Sequence, residues 1–106
     1  MSWLIAGLGN PGPAYTRTRH NVGYLVVEEL RRRANERWTS ARAQRADVVR
    51  TRTSPVGLGA PGAQTEPVVL MRSRTYMNES GIAVRKVADF SHISPDHLIV
   101  VHDELD

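Results

Sequence analysis

Four polar residues, His20, Asp103, Asn10 and Asn78, stand where this chain could carry out hydrolysis. His20 closes an irregular loop rich in Gly and Pro, and Asn21, a good helix cap, follows it. A helix N-terminus disfavours the protonated imidazole. A histidine kept neutral can take a proton from water, which is the work of a general base. Asp103 follows an apolar run and can meet His20 above the end of a sheet. A carboxylate accepting from one ring nitrogen fixes the tautomer and leaves the other nitrogen free. Glu104 and Asp106 are competing carboxylates, and spacing does not choose among the three. Asn10 ends the first apolar run, at the C-terminal end of a strand, where open α/β sheets place their ligands. Asn78 lies at a loop-to-helix junction. The two amides can both donate and accept at a peptide or a ribose.

Other chemistries fit less well. Gly7, Gly9 and Gly12 have the spacing of a dinucleotide-binding turn, but that turn must open directly into a helix, and Pro11, Gly12 and Pro13 prevent one. A dinucleotide-binding domain is therefore the weakest of three readings. No Gly-Lys-Ser or Gly-Lys-Thr marks a phosphate loop, and Ser80 lacks the flanking glycines of a nucleophile elbow. His92, His97 and His102 recur every five residues, which is neither a helical nor a strand face. With no cysteine in the chain, neither a metal site nor a thiol nucleophile is expected.

The elements that must position these groups are legible as apolar patterns. Residues 3–8 form an uncharged run that reads as a buried strand, ended by Gly9-Asn10-Pro11-Gly12-Pro13. From Asn21 the positions Val22, Leu25, Val26, Leu30, Ala34 and Trp38 follow helical spacing, with Glu28 and Glu29 four residues before Arg32 and Arg33. Residues 46–53 and 68–71 read as strands joined by a long, flexible Gly/Pro/Ala-rich turn over 54–66, a hairpin or neighbouring pair. A loop over 72–77 leads to Asn78, which caps a second helix with Ala83, Val87 and Phe90 on one side. Ser94-Pro95 ends that helix, and residues 98–101 form a third apolar strand. This order predicts an α/β, three-layer-like sandwich whose mixed, twisted β-sheet is flanked by helices.

At 106 residues and 41% hydrophobic content the chain supports one domain over residues 1–106. A strand followed by His102-Asp103-Glu104 should be covered by further structure, so the domain is expected to be truncated. No apolar run approaches the ~18 residues of a membrane span and no secretory signal opens the chain, which leads to the expectation of a cytoplasmic protein. The net charge is only +3, but thirteen of the fourteen cations are arginine. Guanidinium suits bidentate phosphate contacts and base stacking, so a polyanionic partner is plausible.

Taken together, Gly7-Leu8-Gly9-Asn10-Pro11-Gly12, Tyr15, Thr18-Arg19-His20-Asn21, Thr75-Tyr76-Met77-Asn78-Glu79-Ser80-Gly81 and His102-Asp103-Glu104-Leu105-Asp106 closely resemble the bacterial peptidyl-tRNA hydrolase family. The resemblance runs from end to end, yet these blocks fill about the first half of that family's fold. The family's glycine-rich segment with a further asparagine and its later helical region have no counterpart here. Arg72-Ser73 stands where the family commonly has Lys-Pro.

The resemblance implies an esterase that needs no metal or other cofactor and cleaves peptidyl-tRNA between the peptide carbonyl and the 3′ ribose. His20 would be the general base and Asp103 its orienting partner, while Asn10 and Asn78 would hold substrate. Tyr15 and Met77 would line the site near the terminal adenosine or the peptide. Loop placement and charge assign Arg19, Arg72 and Arg74 to phosphate contacts. The full-length protein is expected to be a monomer, and residues 1–106 alone to be weakly active and to self-associate. A non-catalytic RNA-binding relative, similar to a plant organelle splicing factor, is the alternative.

Overall fold

The computed structural model describes residues 2–9, 22–60, 62, 64–75 and 79–102. Among them, six strands form one mixed sheet: β1 (Trp3–Gly7), β2 (Thr39–Ala41), β3 (Ala46–Ser54), β4 (Gly57–Leu58), β5 (Glu66–Ser73) and β6 (Leu98–Val101). The order is β2-β3-β5-β1-β6, with β4 pairing β3 off this path. β1 runs parallel to both neighbours, from Trp3↔Val68 to Gly7↔Arg72 on one side and from Leu4↔Leu98 to Gly7↔Val101 on the other. β3 is antiparallel to β5, and β2 to β3.

Two helices, α1 (Val22–Ala34) and α2 (Ser80–Phe90), cover the two faces. Side chains alternate across a strand, so Leu4 and Ala6 of β1 join Val69 and Met71 of β5 beneath α2, where Ala83, Val84 and Val87 meet them. Trp3 and Ile5 point the other way, with Val68, Leu70 and Leu30 of α1. The result is the expected three layers. Leu4, Leu70, Met71, Val27 and Val87 are fully buried, each worth roughly 1.5–3 kcal/mol of transfer from water.

Both helices end in the same device. Asn35 takes the left-handed conformation (φ 56°), its N–H donates to Arg32 O, and the N–H of Glu36 donates to Arg31 O. His92 repeats this after α2 (φ 56°), with its N–H to Asp89 O and that of Ile93 to Ala88 O. These are Schellman motifs, and Ile93 packs back on the core beside Ala88 as that motif favours.

The first motif corrects the sequence reading. Trp38 sits one helical turn beyond Ala34 in spacing, but α1 stops at Ala34 because the Asn35 motif satisfies its last carbonyls. Trp38 instead folds back, its indole N–H donating to Glu28 Oε2 at 2.7 Å. Phe90 also departs from expectation: it is 64% exposed, and the Arg50 guanidinium covers its ring at 5.6 Å from the centroid. The N-cap position of α2 is Glu79, whose side chain makes no capping bond, while Asn78 lies outside the described residues.

The segment read as a flexible turn carries structure as well. β4 folds straight back on β3 through Thr53↔Leu58 and Ser54↔Gly57, leaving Pro55-Val56 as a two-residue loop. Beyond it, β3 and β5 pair from Thr53↔Glu66 to Ala46↔Ser73, the neighbouring pair expected.

Candidate functional site

The parallel register brings the C-terminal ends of three strands to one edge: Gly7 of β1 is level with Arg72 of β5 and with Val101 of β6. The segments that leave this edge lead in sequence to Asn10, to Asn78 and to Asp103, and His20 lies two residues before the start of α1. His20, Asp103, Asn10, Tyr15, Met77 and Asn78 themselves lie outside the described residues, as does Arg19. The described residues are the frame from which these groups depart.

That frame is tight because two glycines let backbones touch. A Cβ on Gly23 would fall within 3.0 Å of Val101 O and of the Leu8 backbone, and one on Gly7 within 3.0 Å of Gly23 O and Val27. The first turn of α1 is thus pressed onto the ends of β1 and β6. The Leu8 N–H adds a bond to Val101 O at 3.0 Å, extending the β1–β6 pairing past the last ladder residue.

Tyr24, the next residue of α1, reaches the other neighbour. Its hydroxyl donates to Ser73 O at 2.6 Å and is 3.0 Å from Gly9 O. Burial pushes this phenol above its usual range, against smaller opposing effects from Ser73 and from the Arg72 and Arg74 charges, and so keeps it a neutral donor. Two residues on from Ser73, the buried Thr75 hydroxyl has no hydrogen-bond partner among the described residues.

A polar network supports the same edge on the α1 side. The Asp47 side chain, 8% exposed, accepts from Arg72 at 2.8 Å and from Arg74 at 3.2 Å. Arg72 also lies over the Trp38 ring, 4.7 Å from its centroid, and 3.8 Å from Glu28. Burial raises the Glu28 carboxyl, but hydrogen bonds from Arg31 and Trp38 and the charges of Arg31 and Arg72 outweigh it and hold the carboxyl below its usual range. Arg72 is therefore engaged within the chain, its side chain only 32% exposed, whereas that of Arg74 is 58% exposed.

Sequence reasoning passed over Tyr24, Asp47 and Trp38 as parts of this frame. The signal for Tyr24 was an aromatic residue with a polar tip in the first helical turn, and for Asp47 a carboxylate opening a strand of apolar residues. No group of three or more His, Cys, Asp or Glu that could hold a metal exists among the described residues.

Comparison with known proteins points one way. The sequence model of the family described as Peptidyl-tRNA hydrolase matches residues 4–106. A peptidyl-tRNA hydrolase of Cutibacterium acnes is 67% identical over 105 residues, covering 99% of this chain and 52% of that protein. One of Methylococcus capsulatus is 45% identical over 106 residues, covering 100% of this chain and 51% of its own length. The crystal structure of peptidyl-tRNA hydrolase from Acinetobacter baumannii matches with a TM-score of 0.80 at 35% identity, over 98% of this chain and 48% of that one. The chain spans about half the length of the curated relatives it matches.

Proposed function

Because the chain belongs to the peptidyl-tRNA hydrolase family, we propose that the native polypeptide hydrolyses the ester joining a peptide's C-terminal carbonyl to the 3′ ribose of tRNA. His20 takes a proton from water as the water oxygen bonds to the carbonyl carbon. The ester C–O bond then breaks, and the 3′ oxygen leaves with a proton returned from the imidazolium. Asp103 orients and polarises His20; Asn10 and Asn78 hold the substrate, and Tyr15 and Met77 line the site. Arg74, the more exposed of the two described arginines at this edge, is the better phosphate contact. The chemistry draws on side chains and water alone, without a metal or cofactor.

The observation that carries this reading is the joining of a family match over residues 4–106 to a frame in which three strand ends converge beside the first turn of α1. The partner is peptidyl-tRNA and the place of action the cytoplasm; no helix among the described residues is long and apolar enough to cross a membrane. The native polypeptide acts as a monomer. Residues 1–106 alone self-associate through β6, the last strand of the sheet order, where Ile99 and Val100 are 46% and 41% exposed.

Release of free tRNA from an N-acyl-aminoacyl-tRNA by the native polypeptide tests the reading. Multiple turnovers are expected. Tight tRNA binding without turnover would contradict it and favour the RNA-binding alternative.

A further inference from the structure

We infer that Tyr24 is a positioning residue for this hydrolysis: its hydroxyl ties the carbonyl of Gly9 to that of Ser73 and so fixes, relative to each other, the two segments that lead to Asn10 and Asn78. The inference rests on the reading above, in which those asparagines hold the substrate.

The need for such a tie follows from where the strand pairing stops. The β1–β5 ladder ends at Gly7↔Arg72, and the chain leaves it toward Gly9 on one side and Ser73 on the other. Past that point each exit is held on its outer side, Leu8 by its N–H to Val101 O and the β5 end by Ala46↔Ser73 and the Arg74 N–H to Arg45 O, while among the described residues no backbone hydrogen bond joins the two exits to each other. The phenolic oxygen lies 2.6 Å from Ser73 O and 3.0 Å from Gly9 O, so its one proton is shared between acceptors 49 and 15 residues away in the chain. It supplies a cross-link at the point where the ladder fails.

The donor is itself held firmly. Gly23 leaves no room for a side chain between α1 and the Val101 and Leu8 backbones, so the backbone that carries Tyr24 is set by direct packing. Val27, one turn on, is fully buried. A tyrosine has two side-chain torsions, so little freedom remains between that backbone and the hydroxyl. Catalytic and binding groups must be held to within about 0.5 Å, and a misplacement of ~1 Å can cost about 100-fold in rate.

The test is a double-mutant cycle in the native polypeptide, with hydrogen exchange read on the same proteins. Tyr24→Phe removes only the oxygen and should lower kcat/KM for peptidyl-tRNA by roughly tenfold. Asn78→Ala should lower it at least as much. If Tyr24 acts through this segment, the double variant should match Asn78→Ala within about twofold. Faster exchange in Tyr24→Phe should be confined to amides near residues 8–10 and 73–76. Wild-type kinetics for Tyr24→Phe would overturn the inference, as would losses that multiply in the double variant. Failure of Tyr24→Phe to fold, or faster exchange along the whole of β1 and β5, would make the hydroxyl a general stabiliser and overturn it too. Wild-type activity for Asn78→Ala, by contrast, would remove that asparagine's substrate-holding role and with it the premise of the inference, while loss of turnover in the unmutated protein alone would overturn the hydrolase reading.

Discussion

Among the described residues, the sheet and α2 bury ten residues against each other, all aliphatic apart from Met71. Beneath α1 the buried cluster among the described residues is smaller, Val49, Val68 and Leu70, with Val27 of the helix also fully buried, and toward the C-terminal ends of the strands the contacts turn polar through Asp47, Arg72, Glu28 and Trp38. The difference separates two tasks. Apolar burial is strong and non-directional, so the α2 face contributes stability without specifying where any one atom sits. Hydrogen bonds are individually weaker, near 1 kcal/mol net, but they fix distances. The face that bears them is the one whose helix, α1, begins two residues after His20.

Leu4→Ala should have the largest effect of the changes that probe this contrast, because Leu4 is fully buried under α2. A loss of about 2–5 kcal/mol in urea unfolding is expected, with kcat/KM per folded molecule unchanged. A large kinetic defect in the folded fraction would show that the α2 face also sets the site.

Gly23→Ala should cost less stability and more function. Its Cβ would meet only backbone, Val101 O and Leu8, which cannot rotate away. Overpacking of this kind costs about 1–3 kcal/mol. Here it also pries α1 from the strand ends, so kcat/KM should fall even where the protein is fully folded. Gly81→Ala in α2 is the control: a Cβ there meets nothing within 4 Å among the described residues, and thermal melting should rise by the equivalent of about 0.4–1 kcal/mol.

The smallest effect is electrostatic. The Arg32 hydrogen bond holds the exposed Glu29 carboxyl at about 2, and Glu28 is also lowered. A folded-state pKa below the unfolded value of ~4.3 gives stability that is present above that pH and lost as pH falls through the folded value. Melting temperature should therefore drop from about pH 5 toward pH 2, and Glu28→Gln should flatten part of that slope. An unchanged slope would mean that the network on the α1 face does not survive in solution.

Much of this organisation was legible in the chain itself. β1 and the 68–71 stretch of β5 announced themselves as short uncharged runs because they lie in the interior of the sheet with both faces covered or nearly so; β6 was legible as an equally apolar run, although Ile99 and Val100 remain exposed. β2 escaped notice because Thr39-Ser40-Ala41 is polar and largely exposed and becomes a strand only by pairing with β3. The end of α1 was misjudged because Trp38 keeps the helical spacing, while the stop signal is one asparagine able to adopt positive φ. Phe90 likewise had the right spacing but occupies the last residue of its helix, past the edge of the core.

For the site, residue types and order were enough to nominate His20, Asp103, Asn10 and Asn78. The supports were not legible, because Tyr24 meets carbonyls 15 and 49 residues away and no local pattern encodes such distances. Arg72 illustrates the same limit from the other side. Its charge suggested a phosphate contact, yet folding surrounds it with Asp47, Glu28 and the Trp38 ring.

What is proposed for the strand-end edge comes down to whether His20 takes a proton from water. Single-turnover hydrolysis of peptidyl-tRNA by the native polypeptide and by its His20→Ala variant, with tRNA affinity measured on both, answers this directly. Loss of a general base should slow the chemical step by about 10²–10⁴-fold, while phosphate and stacking contacts keep tRNA affinity within about twofold. Retention of more than about a tenth of the wild-type rate would contradict the assignment of His20 as the base.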